Sequence, residues 1–148
     1  EIFGPDSFDG NKEKLEALIQ ERQAEGYVKL MGASAQLEKD MINGAVAAFS
    51  SDYEGMPNAM LEAMALGLPV VATDCPPGGP RMVITHEENG LLVPVGDEKS
   101  LAEAINRLIE EPEFAAKLGM NAAEIGKKAD AEMIFKEWEN YVLEICGE

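Results

Sequence analysis

Positive charge is scarce in this chain. Lysine and arginine together number 12 against 28 acidic residues, giving a formal net charge of −16 over 148 residues. Such a surface repels phosphate-rich polymers and anionic headgroups over most of its area, which argues against nucleic acid as a partner. Cysteine is equally sparse. Cys75 and Cys146 stand far apart without metal-like spacing, whereas a secreted chain of this size held by disulfides carries several pairs. A reducing cytoplasm is the expected setting. No run approaches the ~18–20 consecutive apolar residues of a membrane span. The opening EIFGPDSFDG has neither the basic start nor the apolar stretch of a signal peptide. A soluble chain is therefore expected. His86 is the only histidine, and with no partner evident it reads as a loop or helix-end residue rather than a general base. Internal repeats, low-complexity runs and long linkers are missing too, so a single domain spanning residues 1–148 is expected.

What is present is enough apolar content, 46%, to build a core. It comes in short runs: Ile2-Phe3 before Gly4, Val28 to Met31 before Gly32, Ala45 to Ser50, Val70 to Thr73, and Leu91 to Val93 before Pro94. Helical patterns alternate with these runs, the signature of an α/β domain with a mainly parallel sheet. NKEKLEALIQERQAEG places Leu15, Leu18 and Ile19 at helical spacing, with Gly26 as a natural C-terminal cap. In SAQLEKDMINGA, Ser34 suits an N-cap and Leu37, Met41 and Ile42 share one face, with an end near Gly44. Pro57 suits the first position of a third helix, which Gly67 and Pro69 stop. DEKSLAEAINRLIEEP, PEFAAKLGMNAAEIGKKA and AEMIFKEWENYVLEI make the C-terminal third helical. The chain opens on a strand entering a Gly-Pro turn, and so reads as an excised piece of a longer protein.

The stretch YEGMPNAMLEAMALGLP carries two carboxylates. Its helix is apolar almost all the way round, which predicts burial on most faces and a partly enclosed Glu62. An enclosed carboxylate needs donors or a proton. Glu54 precedes the helix and, in a parallel sheet, emerges at the carboxyl end of the preceding strand, the edge where open α/β sheets bind ligands. Free N–H groups around Met56 to Ala59 and the positive end of the helix dipole suit an anionic or polyhydroxyl ligand there. At ~1.5 Å of rise per residue, Glu62 stands roughly 8 Å along the axis from Pro57. That separation fits two contacts on one extended ligand better than a glycosidase pair sharing one bond.

Taken together, SSDYEGMPNAMLEAMALGLPVVATDC, the following GGP and NGLLVPVGD resemble the C-terminal nucleotide-sugar-binding domain of retaining family 4 glycosyltransferases, the group 1 glycosyl transferases. The resemblance runs almost end to end, from the IFG strand to the tryptophan-bearing last helix. It implies the C-terminal half of a GT-B architecture, in which two Rossmann-like domains face a cleft. Residues 1–148 would then be the donor-binding domain without its first strand-helix unit. The resemblance puts Glu54 at the donor sugar near the reacting centre and Glu62 at the ribose hydroxyls. The backbone around Gly55, Met56, Pro57, Asn58 and Ala59 would line the sugar and diphosphate, and Met31 and Gly32 would pass near the nucleobase. A diol donates well to an ionised carboxylate, and a glycine beside Glu54 lets a ligand approach the main chain.

The full-length enzyme would move a sugar, of hexosyl type, from a nucleotide-diphosphate sugar to a glycan or lipid-linked acceptor in polysaccharide biosynthesis. The family's usual mechanism is front-face attack, the leaving diphosphate assisting deprotonation of the acceptor, without metal or other cofactor. It would work in the cytoplasm, with the full-length protein peripheral to the inner face of the membrane. Two departures stand out. The arginine and lysine that clamp the diphosphate belong to the absent strand-helix unit, and the acceptor domain is absent as well, so the isolated piece should not catalyse transfer. Many members also carry a glutamate near the position of Arg81.

Plainer roles stand beside each of these. Glu62 could cap a neighbouring loop and Glu54 could be a solvated loop acid. Met56, Met60 and Met64 read as packing residues, Cys75 as inert, and Trp138 as the anchor of the last helix against the domain body. PPGGP is either a stiff connection or a border of the same cleft. A nucleotide-sugar epimerase of the same architecture, or a non-enzymatic Rossmann-like module binding nucleotide or protein, are the alternative functions.

Overall fold

The computed structural model describes residues 1–6, 10–128 and 131–147. Ala129, which closes the second C-terminal helical pattern, lies outside them. The chain divides into two compact units, Glu1–Asp40 and Met41–Glu148.

In the first unit, β1 (Ile2–Phe3) pairs in parallel with β2 (Leu30–Gly32). Parallel neighbours need a crossover, and helix α1 (Asn11–Glu21) supplies it. The expected cap at Gly26 is not used. Gln23 adopts φ 53°, its N–H reaches Gln20 O and the Ala24 N–H reaches Ile19 O. This pair of bonds closes the helix as a Schellman motif, with a glutamine in the left-handed position that glycine usually fills. The Val28 N–H then bonds back to Ala24 O, which keeps Val28 out of the sheet and shifts the second strand to Leu30. No side chain of α1 is buried within this unit, and Leu18 is 45% exposed.

Helix α2 (Leu37–Met41) follows. Ser34 does not cap it. The Ser34 hydroxyl oxygen accepts from the Gln36 N–H, closing a turn ahead of the helix, and the Lys39 and Asp40 N–H groups bond to Gln36 O. A serine bonding two residues on is the local competitor of a true cap. Ile42 is 61% exposed instead of sharing the packed face of Met41.

The second unit is built on three parallel strands in the order β3 (Ala47–Phe49), β4 (Val70–Thr73), β5 (Leu91–Val93). Ala47 lies opposite Val70, and Val71 opposite Leu91. Crossovers are α3 (Asn58–Ala65) and the short α4 (Gly79–Val83), followed by α5 (Glu98–Glu110), α6 (Pro112–Lys128) and α7 (Ala131–Cys146). The fold is α/β, with parallel sheets flanked by helices. Alternate side chains of the central strand β4 enter different cores, as period 2 requires. Val70 and Ala72 join Met60, Ala63, Met64, Leu68, Ile84 and Ala122, while Val71 joins Leu91, Val93, Leu108, Ala115 and Leu118. Val70, Val71 and Ala72 have no exposed surface, which explains a four-residue apolar run without polar alternation. Burying Met60 and Met64 completely is worth about 1.5–3 kcal/mol each.

Helix α3 ends where expected. Gly67 takes φ 77°, its N–H reaches Met64 O and the Leu68 N–H reaches Ala63 O. A Cβ on Gly119 of α6 would stand 2.2 Å from Gly67 O, so α6 lies directly on this turn. Pro57 precedes the helix as its N-cap, with ψ 90°, rather than as the first helical residue.

Trp138 is 63% exposed and makes an edge contact with Tyr141 at 6.0 Å between ring centroids. Every α7 side chain whose exposure is described is exposed, so the expected anchoring of α7 on the domain body does not occur. Periodicity identifies an apolar face but not the surface that receives it. Among the described residues no helix is long and apolar enough to cross a membrane.

Asp97 caps α5. Its carboxylate accepts from the Ser100 N–H at 3.0 Å and the Ser100 hydroxyl at 2.7 Å. The hydroxyl bond, then the amide bond, hold the carboxyl below its ordinary value of 3.8. A depressed carboxyl stabilises the fold fully above the unfolded value, and the contribution fades as pH falls through the folded one. Asp97→Ala should therefore lower Tm at neutral pH, and the Tm gap from the parent should close as pH drops below 3.8, measured by calorimetry at a series of pH values.

Candidate functional site

The chain leaves β3 at its carboxyl end through Ser50-Ser51-Asp52-Tyr53 and reaches Glu54. Glu54 is half-buried, and its Oε1 accepts a hydrogen bond from the Ser51 hydroxyl at 3.0 Å. Its main chain is fixed by the loop that leaves β4. The Glu54 N–H donates to Pro76 O at 3.0 Å, and the Gly79 N–H donates to Glu54 O at 3.3 Å. Glu54 and Pro77 thereby form a parallel bridge outside the sheet proper. PPGGP is thus more than a stiff connection: it borders the Glu54 loop and holds it.

Glycine makes this docking possible. A Cβ built on Gly79 would fall 1.6 Å from Gly55 O and 2.9 Å from Glu54 O, and Gly78 sits at φ 113°. Neither position tolerates an ordinary side chain without moving the backbone. Gly79 also opens α4, an element the sequence pattern does not reveal because its five residues are too few for periodicity.

From Glu54 the chain turns through Gly55 and the exposed Met56 to the buried Pro57, then enters α3 at Asn58. Met60 and Met64 are core residues as expected, whereas Met56 is 51% exposed and belongs to the loop surface. The N–H groups of Asn58 and Ala59 take no acceptor among the described residues and open the helix at its positive end.

Glu62 departs from expectation. It is exposed, and no described side chain donates to it. The helix is not buried on most faces. Its register turns Met60, Ala63 and Met64 inward and leaves Glu62, Ala65 and Leu66 outward. At 100° per residue, Asn58, Glu62, Ala65 and Leu66 share one open stripe. An ionised carboxylate in that stripe is solvated rather than orphaned, so it needs no internal partner. Apolar composition all round the helix hides this asymmetry.

Met31 and Gly32 belong to the first unit. They line a cavity of about 440 Å³ there, together with Phe3, Gly4, Asp6, Lys12 and Leu15. Met31 is 46% exposed, and Gly32 ends β2 at φ 74°.

Other residues conspicuous in the sequence have structural employment. Leu92 N–H donates to His86 Nδ1 at 3.0 Å, and the Glu87 N–H closes onto Gly90 O, so His86 ties down the hairpin-like turn before β5. Arg81 Nε donates to Asp74 Oδ1 at 2.6 Å, which ties this side chain to the loop after β4. Cys75 is free and fully buried, whereas Cys146 is exposed. Arg107 pairs with Glu87 and Glu111 and covers the Phe114 ring at 4.2 Å, pulling the Glu87 carboxyl below 4.5. Among the described residues no cluster of three or more histidine, cysteine or acidic side chains could hold a metal ion.

Residues 2–111 match the family described as glycosyl transferases group 1. The chain belongs to that family. This member of the group 1 family is 37% identical over 148 residues to an exopolysaccharide phosphotransferase of Streptomyces coelicolor, covering 99% of itself and 15% of that protein. It is 32% identical over 140 residues to the poly(ribitol-phosphate) alpha-N-acetylglucosaminyltransferase of Staphylococcus aureus, covering 94% of itself and 28% of the relative. Among solved structures, Anabaena HepE in complex with UDP and glucose superposes with a TM-score of 0.87 at 28% identity, over 95% of this chain and 39% of that one. The chain thus spans 15% and 28% of the length of these two relatives.

Gly79→Ala should push the main chain of Glu54 and Gly55 away from the loop that leaves β4, displacing the Glu54 side chain with it. The expected cost is about 1–3 kcal/mol of stability, read as a lower Tm, with the β4-centred core otherwise intact by circular dichroism.

Proposed function

We propose that residues 1–148 form the nucleotide-sugar-binding, C-terminal domain of a retaining family 4 glycosyltransferase of GT-B architecture. The full-length enzyme moves a hexosyl group from a nucleotide-diphosphate sugar to a glycan or lipid-linked acceptor. Glu54 meets hydroxyls of the donor sugar. Glu62 accepts from the ribose hydroxyls. The backbone from Gly55 through Met56, Pro57 and Asn58 to Ala59 lines the sugar and diphosphate, and Met31 and Gly32 flank the base.

One observation carries this assignment: a carboxylate with one oxygen committed to Ser51 and the other without a described donor, at the carboxyl end of a parallel strand, followed directly by an open helix N-terminus. Two free hydroxyls of a sugar donate to such an oxygen, and uncapped N–H groups suit a diphosphate. The exposed stripe of α3 adds Glu62, which has no side-chain donor among the described residues and suits a ligand diol. Support for a uridine donor comes from HepE, described in complex with UDP and glucose.

Within this assignment the acceptor domain and the diphosphate-clamping arginine and lysine lie in the rest of the polypeptide, and transfer needs neither metal nor other cofactor. Arg81 is paired with Asp74 through Nε and is not assigned to the clamp. The isolated 148 residues are accordingly inactive in transfer. The enzyme works in the cytoplasm, at the inner face of the membrane where lipid-linked acceptors are presented.

Calorimetry on the full-length polypeptide with UDP, UDP-glucose, UDP-N-acetylglucosamine, UDP-galactose and GDP-mannose tests the assignment. Saturable binding of a nucleotide sugar is expected. Glu62→Ala should weaken it roughly ten- to hundredfold, the loss of charge-assisted hydrogen bonds to a diol. Absence of saturable binding, or affinity untouched by Glu62→Ala, would overturn the assignment.

A further inference from the structure

We infer that Ser51 is a positioning residue for the reaction, holding the Glu54 carboxylate in the rotamer that meets the donor sugar, and that it is itself held by Thr73. The inference rests on the proposed role of Glu54 and goes beyond it.

Thr73 is the last residue of β4 and is 5% exposed. Its hydroxyl donates to Ser51 O. That bond joins the end of the central strand to the loop that leaves β3, across the seam between two parallel strands. Ser51 in turn spends its hydroxyl proton on Glu54 Oε1 at 3.0 Å. The relay therefore runs from a strand buried on both faces, through one main-chain carbonyl, to a carboxylate three residues on. Glu54 is fixed independently at its own backbone by Pro76 O and the Gly79 N–H. The two ties differ in what they fix. The backbone bonds set where the Glu54 Cα stands, and the Ser51 hydroxyl sets where its carboxylate points.

The chemistry favours that division. A glutamate has three side-chain torsions, and a half-exposed one samples several rotamers unless a bond selects among them. A serine hydroxyl can donate only one proton, so bonding Oε1 leaves Oε2 for the ligand and fixes which oxygen faces out. Ser51 lies three residues ahead of Glu54 and needs no contact with nucleotide, base or diphosphate to act. Its influence should thus appear in the sugar-transfer step and not in nucleotide affinity.

The test uses the full-length enzyme and whichever of UDP-glucose, UDP-N-acetylglucosamine, UDP-galactose and GDP-mannose it turns over fastest. Ser51→Ala should lower kcat about tenfold, the scale of one hydrogen bond to a charged group, with KM for the donor and Kd for the free nucleoside diphosphate within about twofold. Ser51→Cys keeps the volume and loses the strong donor, so it should fall with alanine. Ser51→Thr keeps the hydroxyl and should recover most of the rate. Unchanged kcat in the alanine and cysteine variants, while Glu54→Gln abolishes transfer, would overturn the positioning role. So would a rate loss matched by equal loss of nucleotide affinity and of Tm, since that pattern belongs to a general structural defect. Full transfer by Glu54→Gln would instead remove the role of Glu54 on which the inference stands.

Discussion

The contact between the loop leaving β3 and the loop leaving β4 governs the carboxyl edge of the second unit's sheet. Two main-chain hydrogen bonds join Glu54 to Pro76 and Gly79, and the hydroxyl of Thr73 joins the same two segments nearer the sheet. The loops can approach this closely because Gly79 presents no Cβ to Gly55. Everything downstream inherits that geometry: the direction in which Glu54 leaves the sheet, the entry of the chain into α3 through Pro57, and the stripe on which Glu62 stands. A parallel sheet alone would bring the strand ends to one edge. It would not fix two irregular loops against each other there.

Beneath this edge the packing is conventional and strong. The central strand β4 feeds two cores at once, and α3 fills one of them with two fully buried methionines. Helix α6 seals the far end of α3 where Gly119 lies on the Gly67 turn. The helix that carries Glu62 is therefore clamped along its inner face and at its C-terminus, while its outer face and N-terminus stay open. The helix is thus supported rigidly on one side and free to meet solvent on the other.

Much of this is legible in the chain itself. Short apolar runs locate the five described strands, because a buried parallel strand such as Val70 to Thr73 is a plain apolar run bounded by turn residues and too short for a helix. Glu54 is recoverable from its place after a strand and before a helix that a proline introduces. The misses share a cause. The burial of Glu62, the anchoring of Trp138 and the packing of Ile42 are inferences from composition, which says that a surface can be buried but not which surface meets it. The Gln23 turn escapes because a left-handed residue that is not glycine leaves no compositional mark. The Ser51 and Thr73 hydroxyls are invisible for another reason: their partners lie 3 and 22 residues away, and only the strand pairing brings the longer one into reach.

The close approach at Gly79 has an evolutionary reading. Positions in this edge fall into two kinds. Gly55, Pro57, Gly78 and Gly79 form the frame, and a side chain added at Gly79 meets backbone, which cannot move aside cheaply. Met56, Asn58 and Glu62 project from that frame into the open. The second group can therefore be substituted one residue at a time while the first stays constant and the loops keep their places. A rigid scaffold with a few free side chains lets the exposed surface of one fold change its chemistry without first unlearning how to hold its loops.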